Sequence, residues 1–168
     1  MRITTCTEAD LAVLERCLPT GRNDAHAYHF GRQRAGEVEY LIAWVGEAAV
    51  GQAVVTWAGF REEAVRLAVP ECPEIGFLGV EQARRGQGVG SALVSAAEER
   101  VAGRGFRRAG LGVEIGNVDA LRLYRRLGYQ DTPVRCESRY TWYDAVGVGH
   151  DVTETNQYLV KDLSSAGA

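Results

Sequence analysis

The run Arg85-Gly86-Gln87-Gly88-Val89-Gly90-Ser91 carries the residue types of an anion cradle. Before it, Glu74 to Val80 (EIGFLGV) reads as a short buried strand. After it, Val89, Leu93, Ala96, Ala97 and Val101 recur at helical spacing. A turn that opens a helix leaves the first backbone N–H groups without partners, and the aligned peptide dipoles place partial positive charge there. Glycines let a phosphate approach the backbone with no Cβ in the way. A Walker loop would end in Lys followed by Ser or Thr, but the only lysine is Lys161. A dinucleotide fingerprint needs G-x-G-x-x-G; counted from Gly86 or Gly88, the last position falls on Val89 or Leu93. What stands is R-x-x-G-x-G, formed by Arg85, Gly88 and Gly90. Taken alone, the turn leaves open a connector that binds nothing.

Further residues follow in order: Val113, Asn117, Ala120, Leu123, Tyr124 and the closing Leu127-Gly128-Tyr129. The whole pattern is a strand ending in Val, R-x-x-G-x-G and a helix, then a second strand, N-x-x-A, and a helix carrying L-Y and ending L-G-Y. It runs from Glu74 to Tyr129 without a gap and resembles the GNAT superfamily of acyl-CoA-dependent N-acyltransferases. The resemblance implies an α/β (α+β) fold with a mixed, largely antiparallel central sheet, helices on both faces and a splayed parallel strand pair. It also implies acetyl-CoA as acyl donor. The pantetheine arm would pair with the main chain of Leu78, Gly79 and Val80, and the pyrophosphate would rest on the Arg85, Gly86, Gln87, Gly88, Val89, Gly90 and Ser91 turn.

The implied reaction moves an acetyl group to a primary amine by direct attack in a ternary complex. An alkyl amine of pKa about 10.4 is less than about one-thousandth neutral at pH 7, so a proton must be removed. The departing thiolate, of pKa roughly 8.5, needs only modest help. By resemblance, Tyr124 matches the acid beside the leaving sulfur, and Glu74 matches the base that several branches use. Glu114, His26, Tyr28 and His29 are the rival bases. Asn117 matches a position that steadies the cofactor arm, and it also suits an N-cap. The alternative is a non-catalytic acyl-CoA-binding sensor of the same fold; Tyr124 and Glu74 favour the enzyme, since a sensor needs neither.

The acceptor is expected to be a small-molecule or peptide amine. By resemblance, its pocket is shaped by the segment after the first helix and by the last hairpin. These carry Arg22, His26, Tyr28, His29, Arg32 and Arg34, then Arg135, Arg139, Tyr140, Trp142 and Tyr143. Arginines with aromatics would suit an amine bearing a carboxylate, phosphate or aryl group. A solvated basic face over core aromatics is the competing reading.

These residues must be positioned by a mixed set of elements. The expected order is strand 2–5, a helix capped by Thr7 and running to Cys17, a helix over 24–34, and a hairpin of 39–45 with 49–57. An irregular excursion over 59–73 follows, with a helical turn at 62–67. Then come strand 74–80, a helix from Val89 ended by Gly103 and Gly105, strand 109–114, a helix over 118–127 capped by Gly128, and a hairpin of 135–143 with 155–161. Leu123 and Leu127 are expected to face the core, with Tyr124 at the edge of that face. One domain over 1–163 is expected, with a frayed tail at 164–168.

Composition bounds the rest. The net charge is −3 and the pI near 5.7, against a nucleic-acid or membrane-surface binder. Apolar runs are short, Tyr40 to Val45 being typical, so no span of about 20 residues exists. Charges at Arg2, Glu8, Asp10, Glu15 and Arg16 argue against a signal peptide, and a cytoplasmic location is expected. Cys6, Cys17, Cys72 and Cys136 form no C-x-x-C pair and read as reduced, partly buried thiols. His26 and His29 lack the partners of a metal site, so no metal is expected and both read as solvated or acceptor-loop histidines. Homodimer formation is left open.

Overall fold

The computed structural model describes residues 1–164. Strand β1 (Arg2–Thr5) leads into a 3-10 turn (Glu8–Asp10) and helix α1 (Leu11–Cys17). Thr7 opens this segment as expected: its amide donates to Asp10 Oδ2 at 2.7 Å, satisfying a donor no helical carbonyl can reach. Helix α2 (Ala25–Arg34) precedes the hairpin β2 (Val38–Val45) and β3 (Ala48–Thr56). The excursion contains α3 (Glu63–Ala68) and returns as β4 (Glu74–Val80). A 3-10 turn (Gln82–Arg84) and the glycine-rich turn then lead to α4 (Val89–Gly103). The chain closes with β5 (Arg108–Glu114), α5 (Val118–Arg126), β6 (Gln130–Tyr143) and β7 (Gly149–Asp162).

The strands form one seven-stranded sheet in the order β1-β2-β3-β4-β5-β7-β6. Every neighbouring pair is antiparallel except β4 with β5. Both faces are covered. On one, Val89, Leu93, Val94, Ala97 and Val101 of α4 pack with Leu41, Val55, Ile75 and Leu111, and α5 adds Leu121 and Tyr124. On the other, Leu14 packs with Tyr40, Ile42 and Trp44, while Val65 of α3 joins Phe60 and Tyr158. Full burial of each aliphatic side chain contributes about 1.5–3 kcal/mol, so α4 is held chiefly by its apolar stripe.

The last hairpin extends further than its sequence pattern predicts. Its strands include residues 130–134 and 149–154, and the turn is confined to 144–148. Asp144 closes that turn, with its Oδ1 accepting from the amides of Val146 and Val148. The polar residues beyond it read as loop, yet they bond across the strands: Thr141 Oγ1 donates to Asp151 Oδ1 and Tyr140 Oη to Glu154 Oε1. Of the expected frayed tail, Ser164 donates its amide to Asp162 Oδ1, and residues 165–168 lie outside the described residues.

Candidate active site

Strands β4 and β5 are joined only at their start, where Glu74 pairs with Gly110 and the Gly110 amide donates to Pro73 O at 2.9 Å. Beyond that point β5 stays paired with β7, while β4 stays with β3. Part of the divergence is local to β4. Phe77 has φ +48, in the left-handed region, and the register against β3 shifts between Gln52 and Val54. Such a bulge bends its strand and increases the local twist. A cleft of about 1140 Å³ opens between the strands, walled by Leu78, Gly79 and Val80 on one side and Val113 and Glu114 on the other. The edge of β4 facing it therefore has free main-chain groups, the geometry needed to accept an extended ligand as an added strand.

One end of the cleft is the glycine-rich turn. Ala92 is the first residue of α4 whose amide reaches a carbonyl, that of Gly88. Among the described residues, no amide from Gly86 to Ser91 donates to a backbone carbonyl. Gly88 has φ +85, and a Cβ there would meet nothing within 4 Å, so the space beside the turn is open. Arg85, Gly86, Gly88, Val89, Gly90 and Ser91 line the cleft. Gln87 is not among the lining residues; its side-chain amide turns back to donate to Ala83 O at 3.0 Å. The sequence reading missed three cations here. Arg84, Arg122 and Arg126 also line this end, and Arg126 Nη2 donates to Ser91 Oγ at 3.5 Å. The spacing of Arg122 and Arg126, one helical turn apart, was the available signal.

Asn117 opens α5, with its Oδ1 accepting from the Ala120 amide at 3.1 Å, and it lines the cleft as well. Tyr124 is 6% exposed and lines the same cleft. Its ring meets Tyr129 edge-on with centroids 6.2 Å apart. Burial pushes its phenol up to about 12, so it stays protonated at neutral pH and can donate. Leu123 and Leu127 pack against the core as expected, each half-buried, and Leu123 also lines the cleft. Tyr124, expected at the edge of that face, is instead buried with Leu121.

Glu74 stands at the root of the splay, behind the main cleft. Its Oε1 lies 3.4 Å from where a Cβ on Gly112 would be. Burial pushes its carboxyl up to about 7; the charge of Glu62 adds to this and Arg32 opposes it. A carboxyl poised near neutrality can exchange a proton at working pH.

The histidines sit differently from the expectation. His26 is fully buried. Its Nε2 faces the Leu18 carbonyl at 2.6 Å and its Nδ1 faces Tyr40 Oη at 2.5 Å. A carbonyl can only accept, so Nε2 donates to Leu18, and Nδ1 shares a hydrogen bond with the Tyr40 hydroxyl. Both nitrogens are committed, and His26 is a core residue tying α1 to β2. His29 packs against Phe77 with centroids 4.4 Å apart, and burial holds its imidazole down at about 4; it is therefore neutral at pH 7.

The two segments expected to shape the acceptor pocket do meet. Asn23 Nδ2 donates to Tyr143 O at 2.9 Å, the Tyr143 amide returns a bond to Asn23 Oδ1, and Arg22 lies over the Tyr143 ring. Most of their arginines, however, are engaged elsewhere. Arg32 pairs with Glu37 and Arg139 with Glu137. Arg135 donates to the carbonyls of Thr132 and Val134 and to Asp131, holding the irregular start of β6. None of Arg22, Arg32, Arg34, Arg135 and Arg139 lines the cleft, whereas Tyr140, Glu154 and Asn156 do. The cysteines are all unpaired, and burial pushes the thiols of Cys6 and Cys72 up to about 12, which leaves them unreactive. No helix among the described residues is long and apolar enough to cross a membrane.

Known proteins resemble this chain in sequence and in fold. The chain is 41% identical over 66 residues to a mycothiol acetyltransferase of Clavibacter michiganensis, a match covering 39% of this chain. The matched segments span only 22% to 28% of the length of the mycothiol acetyltransferases it is similar to. Among solved structures, a ribosomal-protein-alanine N-acetyltransferase from Brucella melitensis superposes with a TM-score of 0.70 at 21% identity. That match covers 97% of this chain and 100% of the other. A Salmonella typhimurium protein solved with its cofactor acetyl-CoA superposes with a TM-score of 0.66 at 19% identity, covering 99% and 96%. The model of the acetyltransferase (GNAT) family matches residues 9–129, most of the chain and all of the elements from β4 to α5, and the chain belongs to that family.

Proposed function

We propose that this protein transfers an acetyl group from acetyl-CoA to a primary amine by direct attack within a ternary complex. The observation that carries this reading is the continuity of one cleft. It joins the free amides of the Gly86–Ser91 turn, the unpaired edge of β4 and the buried Tyr124. Family membership and the acetyl-CoA in the Salmonella relative support the donor. The turn and the arginines beside it would hold the phosphates, and Leu78, Gly79 and Val80 would hold the amide-bearing arm. Acetyl-CoA supplies an acyl group already activated as a thioester.

The chain's own residues then have three tasks. The walls of the cleft hold amine and thioester together, which can lower the barrier by up to about 7–11 kcal/mol when alignment is ideal. Glu74, with its carboxyl near neutrality, takes the proton from the ammonium acceptor, directly or through water. Tyr124 donates its hydroxyl hydrogen to the departing sulfur, the role suited to a phenol kept protonated by burial. A screen of amines for acetyl-CoA-dependent thiol release tests the proposal. Release above the no-amine rate, with acetylated amine as product, is the expected result; binding of acetyl-CoA without release for any amine would favour a non-catalytic acyl-CoA sensor.

A further inference from the structure

The far end of the cleft has the opposite charge to the phosphate end. Along β5 and β7, Gly112, Glu114, Glu154, Asn156 and Tyr158 fall on one face of the sheet, since Gly112 pairs with Tyr158 and Glu114 with Asn156. Glu74 reaches the same face beside Gly112, and Glu62 lies close enough to raise its carboxyl. Tyr140 joins them through its bond to Glu154. Two carboxylates, Glu114 and Glu154, therefore line this part of the cleft, and two more, Glu74 and Glu62, stand behind it at the root of the splay. All four are half-buried, and among the described residues none of them is in an ion pair. Arg32 is the cation whose charge acts on Glu74, and it is bound to Glu37 at 2.9 Å. The neutral His29 brings no compensating charge.

Half-buried carboxylates without counter-charges are costly unless a cation joins them. One ammonium, the reacting amine, becomes neutral before attack and cannot compensate the group. Aromatic rings complete the surface: Tyr140 and, on the same face of β6, Trp142 stacked on His150 at 4.9 Å. Carboxylates flanked by aromatic faces recognise a cation by charge and by the ring quadrupole together. We infer that the acceptor is an amine carrying at least one further positive charge, a di- or polyamine or an amino sugar rather than an amino acid. This inference rests on the acetyl-transfer reading above and assigns its acceptor class. It also replaces the sequence-based expectation of an acceptor with a carboxylate or phosphate, because the arginines that prompted it do not line the cleft.

Three amines of matched length test it: 1,4-diaminobutane, butylamine and 4-aminobutanoate, with charges of +2, +1 and zero at pH 7. We expect kcat/KM to fall in that order, by about tenfold at each step, with the spread shrinking at high salt as the charges are screened. In Glu154→Gln and Glu114→Gln the diamine-to-butylamine ratio should narrow several-fold toward one. Equal or better turnover of 4-aminobutanoate, or a ratio unmoved by both substitutions, would overturn the inference while leaving acetyl transfer intact. Melting of the CoA-loaded protein gives a readout independent of turnover. A larger upward shift with the diamine than with 4-aminobutanoate, but no thiol release, would sink the transfer reading and keep the charge preference; equal shifts would sink the preference.

Discussion

The imidazole of His29 lies 4.4 Å, centroid to centroid, from the ring of Phe77, the residue whose left-handed backbone forms the bulge in β4. A residue of α2 thus bears on the point where the sheet begins to part. Left-handed backbone costs a non-glycine residue about 1–2 kcal/mol, and the stack of His26, His29 and Tyr40 around the Phe77 ring offsets that strain.

Substitution of Phe77 should therefore invert a common ordering. Phe77→Ala loses the ring but keeps the strain and should destabilise by about 3 kcal/mol, the low end for a phenylalanine because Phe77 is half-buried. Phe77→Gly loses the same contacts and relieves the backbone, so its midpoint in urea should equal or exceed that of Phe77→Ala. A glycine variant clearly less stable than the alanine variant would mean the bulge is not strained.

Tyr124→Phe deletes a hydroxyl with no hydrogen-bond partner among the described side chains and keeps the packed ring. Its stability and its affinity for CoA should change little, while kcat falls by about 10- to 1,000-fold. Wild-type turnover in a chemistry-limited assay would remove Tyr124 from the proton path.

Glu74 links catalysis and stability through one titration. As a base it acts deprotonated, so kcat/KM should rise with pH through about 7 and lose that limb in Glu74→Gln. Its folded pKa is raised above the unfolded value, so the native state binds more protons between roughly pH 4.5 and 7. Stability from this group is fully present below that window and is lost as pH climbs through it, by up to about 3 kcal/mol. Glu74→Gln mimics the neutral acid and should melt above wild type at pH 8, with no such advantage at pH 4. An unchanged pH profile would move the base to Glu114.

Acetyl-CoA at about 100 times its Kd should stabilise the protein by about 2.7 kcal/mol, roughly 5–11 °C in Tm for a reversibly unfolding domain of this size. NADH and ATP, whose motifs the turn lacks, should shift it far less. Gly88→Ala adds a methyl at φ +85, so the unliganded variant should itself lose about 1–2 kcal/mol. Measured from that lower baseline, its acetyl-CoA shift should shrink if the phosphates rest on this turn, because the strained φ no longer suits the residue that shapes it. A full-sized shift in Gly88→Ala would put the phosphates elsewhere.

The sequence by itself determined the order of elements, the glycine-rich turn that opens α4 and the family. Each of these rests on short-range physics: the 3.6- and 2-residue periodicities, the Thr7 and Asn117 caps, and glycines where a helix begins. Tertiary structure alone decided which residues share a site. Arg135 and Arg139 look like acceptor ligands in the sequence, but side chains alternate across a strand, and the register shift between Asp131 and Arg135 sets which face each one takes. His26 and His29 look equivalent one turn apart, yet only His26 meets both Leu18 and Tyr40 and is sealed in the core. The proton affinity of Glu74 depends on Glu62 from the loop before α3, on Arg32 from α2 and on the depth of the splay. Burial and charge sum over elements far apart in the chain, and no local pattern of residues carries that sum.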